Sequence, residues 1–307
     1  YPYMLRELAM VDRTNILAQF SSALVERSVA ANSAIAAIRL REGRHMTGML
    51  WRPDAVITSE QSLPEREEFE LVTADGSAIK AKMAGRDPGT NLAVLKPERP
   101  LSVATAIPAA SHVGALAIAF GADAGGTATP RLGVVNAIGP EWHSSHGGRI
   151  EQRVELDIDL ARREEGGPVF DASGGLLGMS TFGPRRQVII IPAATIERVV
   201  PILFKDGRVS RGWLGVGLRP VAVPEGLGDG QSSGLMVMSL AAGGPAANAG
   251  IVAGDIVLSV DGVSARRMRN ITARLGTDSI GRTIDLRFIR GGLVTSRQAM
   301  ITERPNS

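Results

Sequence analysis

The sequence predicts a mostly β protein, with two packed β-barrels followed by a separate, smaller unit. Short runs of alternating apolar and polar residues recur along the chain, and glycine-rich turn signals separate them. These runs fall into two groups of six, with a linker at Pro97–Ser102 between them. Glycine is abundant, at 36 of 307 residues, whereas aromatic residues make up only 4%. Short strands joined by tight turns are typical of such a composition.

The N-terminal segment is predicted to hold one helix. Residues 1–13 show no clear pattern, and we treat them as a tail. Over Thr14–Val29 the apolar residues Leu17, Phe20 and Leu24 recur at helical spacing. The polar face mixes both signs of charge, which favours a helix that packs on the protein over one that binds a membrane.

The two groups of strands form the first predicted domain, residues 14–206. The first group is Ala34–Arg41, Met46–Trp51, Ala55–Thr58, Glu68–Thr73, Ile79–Gly85 and Leu92–Lys96. The second group is Val113–Phe120, Arg131–Ile138, Ile150–Leu160, Pro168–Phe170, Gly175–Ser180 and Val188–Ile191. A helix at Ala193–Phe204 is expected to close this domain, and Lys205–Ser210 is expected to be an exposed boundary.

A second domain is predicted at residues 211–303. It contains an Asp-Gly turn within "SVDGV" at 259–263 and a helix near Met268–Leu275. A final hairpin is expected from Thr283–Arg290 through two glycines to about Ile301.

Composition excludes several classes of function. The 34 basic and 31 acidic side chains nearly balance, and short arginine pairs without interleaved aromatics argue against nucleic acid as a partner. Cysteine is absent, so there is no thiol nucleophile, and no motif indicates a cofactor. The chain starts at Tyr1 rather than methionine, and we expect a fragment or processed form, compatible with a signal peptide or membrane anchor outside it.

Five motifs occur in the order that one protein family shows. They are "TSEQSL" at Thr58–Leu63, "GRDPGTNLAVLKP" at Gly85–Pro97, "REEGGP" at Arg163–Pro168, "RGWLGVGLRPV" at 211–221 and "GGPAANAGIVAGDIVLSVDGV" at 243–263. Together they resemble the HtrA/Deg serine proteases. The resemblance implies a chymotrypsin-like double β-barrel followed by a PDZ domain, an α+β, partly open barrel.

The motifs depart from the family at the positions that carry catalysis. By this resemblance, Gln61 holds the catalytic His position, Asn91 the Asp position and Glu165 the Ser position, and Arg163 replaces an oxyanion-hole glycine. Neither amide can act as the base or stabilise an imidazolium, and a glutamate offers no hydroxyl and repels an oxyanion. We therefore expect a pseudoprotease. The alternative is an enzyme with residual or altered hydrolysis through Glu165.

The polar residues near these positions admit several interpretations. Glu164 and Glu165 can form an acid–base couple, anchor a cation, or lie in a solvated turn held by Arg162 or Arg163. The two amides at the His and Asp positions are expected to hydrogen-bond each other without any function.

A loop with two histidines is a weak metal-site candidate. His143 and His146 lie beside Glu141 and Trp142, but no third ligand is defined, and a polar surface loop is the favoured interpretation. A metal-binding module is accordingly a third functional class.

The PDZ resemblance implies peptide binding. Backbone amides of one turn would receive a C-terminal carboxylate while the peptide adds as a strand, and the following helix would supply an apolar wall. The expected contacts are Leu214, Gly215, Val216, Met268, Ile271 and Leu275. The alternative is a domain that only packs on the barrel or caps its own groove.

The resemblance also sets expectations for partners and location. It implies capture of peptides or protein C-termini as a scaffold, adaptor or chaperone-like factor, in the periplasm or otherwise outside the cytoplasm. It also implies a homo-oligomer, a trimer joined by N-terminal aromatics such as Tyr1, Tyr3 and Phe20, or co-assembly with an active relative. A tail without this role is the alternative.

Overall fold

The computed structural model describes residues 2–41, 43–227 and 230–305, and for residues 2–14 it describes the backbone alone. Contacts within the chain group it into two compact units. The first unit is Tyr1–Arg86, Asn91–Pro140 and Gln152–Gly207, and the second is Asp87–Thr90, Glu141–Glu151 and Arg208–Ser307. None of the helices in the described ranges is long and apolar enough to cross a membrane.

The chain starts with a long helix, α1, at Pro2–Ala31. The expected start at Thr14 is therefore wrong, and residues 2–13 are helical rather than an unstructured tail. The stretch is rich in leucine, methionine, alanine, arginine and glutamate, which are strong helix formers, and its proline stands at the first helical position. Propensity rather than apolar periodicity predicts this extension.

Most of the predicted apolar face of α1 does not pack. Leu24 lies against a buried cluster that includes Ala31, whereas Leu17 and Phe20 are 72% and 40% exposed. The prediction of a packing helix thus holds only for its C-terminal part. Tyr1 and the side chain of Tyr3 lie outside the described residues.

Six strands close into the first barrel. They are β1 at Ile35–Arg39, β2 at His45–Arg52, β3 at Ala55–Ser59, β4 at Glu68–Val72, β5 at Ala78–Asp87 and β6 at Leu92–Pro97. Their order around the barrel is β1-β2-β3-β6-β5-β4. Alternate side chains point inward, and Ile38, Phe69, Leu71 and Leu95 belong to the buried core.

Eight further strands follow in the chain, and six of them complete the double barrel. They are β7 at Leu116–Ala122, β8 at Ala128–Gly139, β9 at Trp142–His143, β10 at Arg149–Ile150, β11 at Arg153–Asp157, β12 at Pro168–Asp171, β13 at Leu176–Phe182 and β14 at Val188–Pro192. The second barrel closes in the order β11-β14-β13-β12-β7-β8, and β9 pairs only with β10. The single strand predicted at Ile150–Leu160 is therefore split into β10 and β11. Two closed six-strand barrels confirm the predicted fold class.

The predicted closing helix of the first unit is α2, at Ala193–Asp206. Its buried residues include Ile196, Val199, Val200 and Leu203, which recur at helical spacing. The helix ends at Gly207, whose φ of 73° places it in the left-handed region favoured for a C-cap.

The second unit is built around a twisted antiparallel sheet. Its elements are β15 at Gly212–Trp213, β16 at Val216–Ala222, β17 at Ser233–Leu240, α3 at Pro245–Asn248, β18 at Ile256–Val260, β19 at Val263–Ser264, α4 at Met268–Thr272, β20 at Thr283–Arg290, β21 at Leu293–Met300 and β22 at Thr302–Glu303. The main sheet runs β16-β17-β18-β20-β21, with β19 beside β18. Its core includes Leu235, Phe288 and Ile271. The predicted final hairpin is β20–β21, and the helix expected near Met268–Leu275 is the shorter α4.

Candidate functional site

Gln61, Asn91 and Glu165 meet in one polar cluster of the first unit. Gln61 lies in a 3-10 turn, Glu60–Ser62, that follows β3. Asn91 immediately precedes β6, and Glu165 follows a second 3-10 turn, Arg162–Glu164. All three residues thus lie in or beside a tight turn or at the start of a strand, so the first unit fixes their positions.

The carboxylate of Glu165 is the centre of this cluster and is 2% exposed. Its Oε1 accepts hydrogen bonds from Ser59 Oγ at 2.8 Å, Gln61 Nε2 at 2.6 Å, Thr181 Oγ1 at 2.6 Å and the Phe182 N–H at 3.3 Å, and its Oε2 accepts one from Ser62 Oγ. These donors replace the water that a buried carboxylate loses. The carboxylate of Glu165 is thus stabilised by hydrogen bonds from neutral groups.

The two amides support this carboxylate in different ways. Asn91 Oδ1 accepts the Gln61 backbone N–H at 2.8 Å, and its Nδ2 donates to Ser59 Oγ at 2.9 Å and Thr181 Oγ1 at 2.6 Å. The two residues thus hydrogen-bond each other as expected, but through the Gln61 backbone, because the Gln61 side chain binds Glu165. A carboxylate is the stronger acceptor. Asn91 has a φ of 56°, which asparagine tolerates better than most residues.

Glu164 and Glu165 point to different partners. Glu164, 1% exposed, receives Arg131 Nε at 3.1 Å on both oxygens and Arg131 Nη2 at 2.8 Å, together with the Ala161 N–H at 2.8 Å. The hydrogen bond and charge of Glu164 raise the pKa of Arg131 above its ordinary value. The interpretation as a solvated turn held by Arg162 or Arg163 is wrong, and the two carboxylates share no hydrogen-bond partner among the described residues that would make them an acid–base couple.

The backbone of the turn before Glu165 is occupied by its own hydrogen bonds. The Glu165 N–H donates to the Arg162 carbonyl at 3.4 Å, and the Glu164 N–H donates to the Ala161 carbonyl at 2.9 Å. The Arg163 carbonyl accepts Thr47 Oγ1 at 2.8 Å. An oxyanion hole requires backbone N–H groups directed at the reacting oxygen, and here the Glu165 N–H is already engaged.

The glycines of "EGGP" are required by packing alone. Gly166 has a φ of 92°, and a Cβ at Gly167 would overlap the Phe120 carbonyl. The retained "GGP" therefore preserves the close approach of this turn to β7.

The sequence did not reveal the contact between Ser62 and Glu165. Ser62 is half-buried, and its hydroxyl donates directly to the Glu165 carboxylate. A hydroxyl beside a carboxylate is a conceivable nucleophile–base pair, although a carboxylate is a weaker base than imidazole near neutral pH. None of the hydrogen bonds given for the described residues joins a histidine to this cluster.

A second candidate site is a groove in the second unit, with a cavity volume of about 200 Å³. It is lined by all of the expected peptide contacts: Leu214, Gly215, Val216, Met268, Ile271 and Leu275. Gly215 has a φ of 75°, and its carbonyl accepts the Ala241 N–H at 2.9 Å. The left-handed turn before β16 is thereby fixed against the connection after β17.

The groove also has polar walls that the sequence did not indicate. Arg211, His146 and Arg304 line it together with the expected residues. Arg211 forms a bidentate ion pair with Asp87, at 2.6 and 2.9 Å, so its charge is already balanced. Asp87 is 1% exposed and also accepts the N–H groups of Gly89 and Thr90. No local pattern in the sequence signals these long-range contacts.

The histidine loop shows no gathering of metal ligands. The His146 N–H donates to Ser144 Oγ at 3.2 Å, and its ring Nδ1 lies 3.5 Å from Ser145 Oγ. Across the described ranges, no group of three or more His, Asp or Glu side chains is placed to hold a metal ion. His143 lies in the short strand β9, opposite Arg149 of β10.

Known proteins match both parts of the chain. A trypsin-like peptidase domain matches residues 46–179, and a PDZ domain matches residues 212–298. A probable periplasmic serine endoprotease DegP-like of Bartonella henselae is 33% identical over 248 residues, which are 77% of this chain and 48% of that protein. Its counterpart in Rhizobium meliloti is 32% identical over 266 residues, which are 83% of this chain and 52% of that protein.

Solved structures agree with these matches. The HtrA-type protease AlgW with a decapeptide has a TM-score of 0.69 at 23% identity, over 92% of this chain and 98% of that chain. The serine endoprotease from Yersinia pestis has a TM-score of 0.68 at 25% identity, over 91% of this chain and 97% of that chain.

The fold and the two family matches define the class of this protein as a trypsin-like peptidase domain followed by a PDZ domain. The chain belongs to the HtrA/Deg family, as its motifs implied. It spans about half the length of the curated relatives that it matches.

Proposed function

We propose that this chain is a proteolytically inactive HtrA/Deg protein that binds C-termini or extended peptides as a scaffold, adaptor or chaperone-like factor. Residues 14–206 would form the pseudoprotease domain and residues 211–303 the peptide-binding PDZ domain. One observation carries the proposal: the Glu165 carboxylate receives five hydrogen bonds from the groups around it. Because the carboxylate is engaged by neighbouring groups and the Glu165 N–H donates within its own turn, the site offers neither an imidazole base nor the pair of directed N–H groups that acyl transfer by a serine uses.

Peptide binding is supported by the groove of the second unit. The left-handed Gly215 turn, the edge strand β16 and the apolar side chains of α4 are the parts that strand addition requires. A solved relative, AlgW, is described with a decapeptide and with a tripeptide. The names of the curated relatives support a periplasmic location, which we propose for this chain as well.

Assembly is a further part of the proposal. Phe20 is 40% exposed on α1, where it is available for a contact with a second copy or with an active relative. Light scattering of the chain and of a Phe20→Ala variant would show whether this residue supports a trimer.

The rival function is hydrolysis, and the contact between Ser62 and Glu165 is the observation that favours it. In that alternative, Ser62 Oγ would attack a carbonyl carbon, its proton would pass to Glu165 Oε2, and the carbonyl π electrons would move to the oxygen. Collapse of this intermediate would break the C–N bond, the departing amine would take the proton from Glu165, and water would then release the acyl group from Ser62. Four of the five hydrogen bonds to Glu165 fall on Oε1, so Oε2 is the less occupied oxygen.

Cleavage of an unfolded, fluorescently labelled protein tests both functions. We expect the natural chain to release no fluorescence above a buffer control, and Ser62→Ala and Glu165→Gln to be equally silent. A combined variant, Gln61→His, Asn91→Asp, Glu165→Ser and Arg163→Gly, restores the family residues and serves as the positive arm. Cleavage by the natural chain that disappears in Ser62→Ala or Glu165→Gln would overturn the pseudoprotease proposal.

A further inference from the structure

A wide cleft of the first unit has a cationic lining. Its cavity volume is about 570 Å³, within the range of about 300–1,000 Å³ typical of ligand sites. Arg44 contributes to it from just before β2, and Arg162 and Arg163 contribute from the turn before Glu165, with His45 beside them. Within the described ranges, the cleft is lined by no aspartate or glutamate.

Two of these cations are not balanced by the protein. Arg162 and Arg163 are exposed, and neither side chain forms an ion pair or hydrogen bond to the described residues. The neighbouring Glu164 does not neutralise these arginines, because its carboxylate is buried against Arg131. The turn thus directs its acidic side chain inward and leaves its two basic side chains at the cleft.

Other side chains separate the buried Glu165 carboxylate from the cleft. Gln61 and Ser62 line the cleft and both donate to Glu165, which is 2% exposed and does not line it. A ligand in the cleft would therefore meet amide and hydroxyl groups and the arginines above them. Unbalanced guanidinium groups favour carboxylate ligands, to which they can donate two parallel hydrogen bonds.

The cleft also offers apolar surface. Leu40 lines it beside the charged residues and is half-buried, whereas Met46 belongs to the barrel core at 2% exposure. A small inorganic anion would use the arginines but not Leu40 or most of the volume. An extended peptide with acidic side chains would use all of them, because its carboxylates can reach the arginines while its methylene groups contact Leu40.

We propose that this cleft binds an acidic peptide segment, with Arg162 and Arg163 as its principal contacts. The site is distinct from the PDZ groove and does not require a free C-terminus. It goes beyond the proposed function, since capture at the groove neither needs it nor excludes it. Position 163, where the family pattern has a glycine, then serves binding rather than catalysis.

Fluorescence anisotropy with a short, labelled Glu-rich peptide tests the proposal. The peptide is amidated at its C-terminus, so that it presents no terminal carboxylate to the PDZ groove. We expect saturable binding that weakens as salt is added, and a loss of about tenfold or more in Arg162→Glu/Arg163→Glu. Arg162→Lys/Arg163→Lys keeps the charge and should retain most of the affinity, and circular dichroism of each variant verifies folding.

A matched control is the exposed arginine pair Arg185 and Arg186, which belongs to the same unit and does not line the cleft. Arg185→Glu/Arg186→Glu and Gly215→Val should leave the acidic peptide bound. An equal loss in both charge-reversal variants would indicate a general charge effect and overturn the proposal. Equal binding of the peptide with Gln in place of Glu, or complete competition by inorganic phosphate at equal concentration, would overturn it too.

Discussion

The polar cluster around Glu165 is closed by contacts within the protein, whereas the groove beside Gly215 remains open. In the cluster, five donors converge on one carboxylate that is 2% exposed. In the groove, a cavity of about 200 Å³ remains, and Met268 stays 37% exposed on its wall. The donors of the cluster converge on a carboxylate inside the protein, whereas the groove leaves apolar side chains and the edge strand β16 open.

Substitutions in the two regions should therefore have different effects, on stability in the cluster and on ligand affinity in the groove. Residues whose partners lie within the protein should affect folding when they are changed, and residues that line an open groove should affect ligand affinity. The contrast can be tested at single positions, because each region offers a residue with a matched control elsewhere in the chain.

The largest expected effect is on peptide binding in Gly215→Val. A Cβ at this position would lie 3.3 Å from the Gly244 Cα and from the Trp213 ring, in addition to the unfavourable φ of 75°. We expect affinity for a peptide with a free C-terminal carboxylate to fall about a hundredfold or more, measured by isothermal titration calorimetry.

The control for that variant is Gly226→Val in the same unit. Gly226 has a φ of 80°, but no atom lies within 4 Å of a Cβ built there. It therefore reproduces the backbone strain, about 1–2 kcal/mol, without touching the groove. Unchanged affinity in Gly215→Val, or an equal loss in both variants, would contradict the placement of the peptide.

The next effect in size is on stability, in Glu165→Ala. Removing the carboxylate takes away the hydrogen-bond acceptor of Thr181 and Ser62 and leaves a gap at a buried position, while Ser59 and Gln61 keep only their neutral acceptors, so we expect the free energy of unfolding to fall by about 2–4 kcal/mol. Urea denaturation measures the change. Glu70→Ala is the control, because its exposed pair with Arg39 should contribute at most about 1 kcal/mol. Equal changes in the two variants would show that the cluster is not a stabilising unit.

Much of the fold was predictable because it depends on local patterns. Period-two alternation located the strands, and the turn signals separated them into two barrels and a final sheet unit. The meeting of Gln61, Asn91 and Glu165 was predictable only through the resemblance, since these residues are far apart in the sequence. The helical extension of α1 was missed because apolar periodicity was weighted above helix propensity.

The details of the cluster could not be predicted in the same way. Which partner each of the two buried carboxylates of Glu164 and Glu165 meets depends on the dihedral angles of one 3-10 turn and on Arg131, which β8 supplies from a distant part of the sequence. The Ser62 contact likewise depends on a one-residue step within the turn after β3. Sequence spacing does not encode these directions, so they follow only from the packed structure.

The smallest effect is expected for Met268→Ala on the groove wall. This variant tests most directly whether ligand affinity can change without a change in stability. Because this side chain is 37% exposed, its removal should leave the free energy of unfolding within about 0.5 kcal/mol. Peptide affinity should fall several-fold, since part of an apolar contact of about 1 kcal/mol is lost. Ile271→Ala, at 2% exposure in the same helix, should instead destabilise the unit by about 2–5 kcal/mol. If Met268→Ala destabilised the unit and left affinity unchanged, α4 would be a packing element, and the groove would be closed by its own wall.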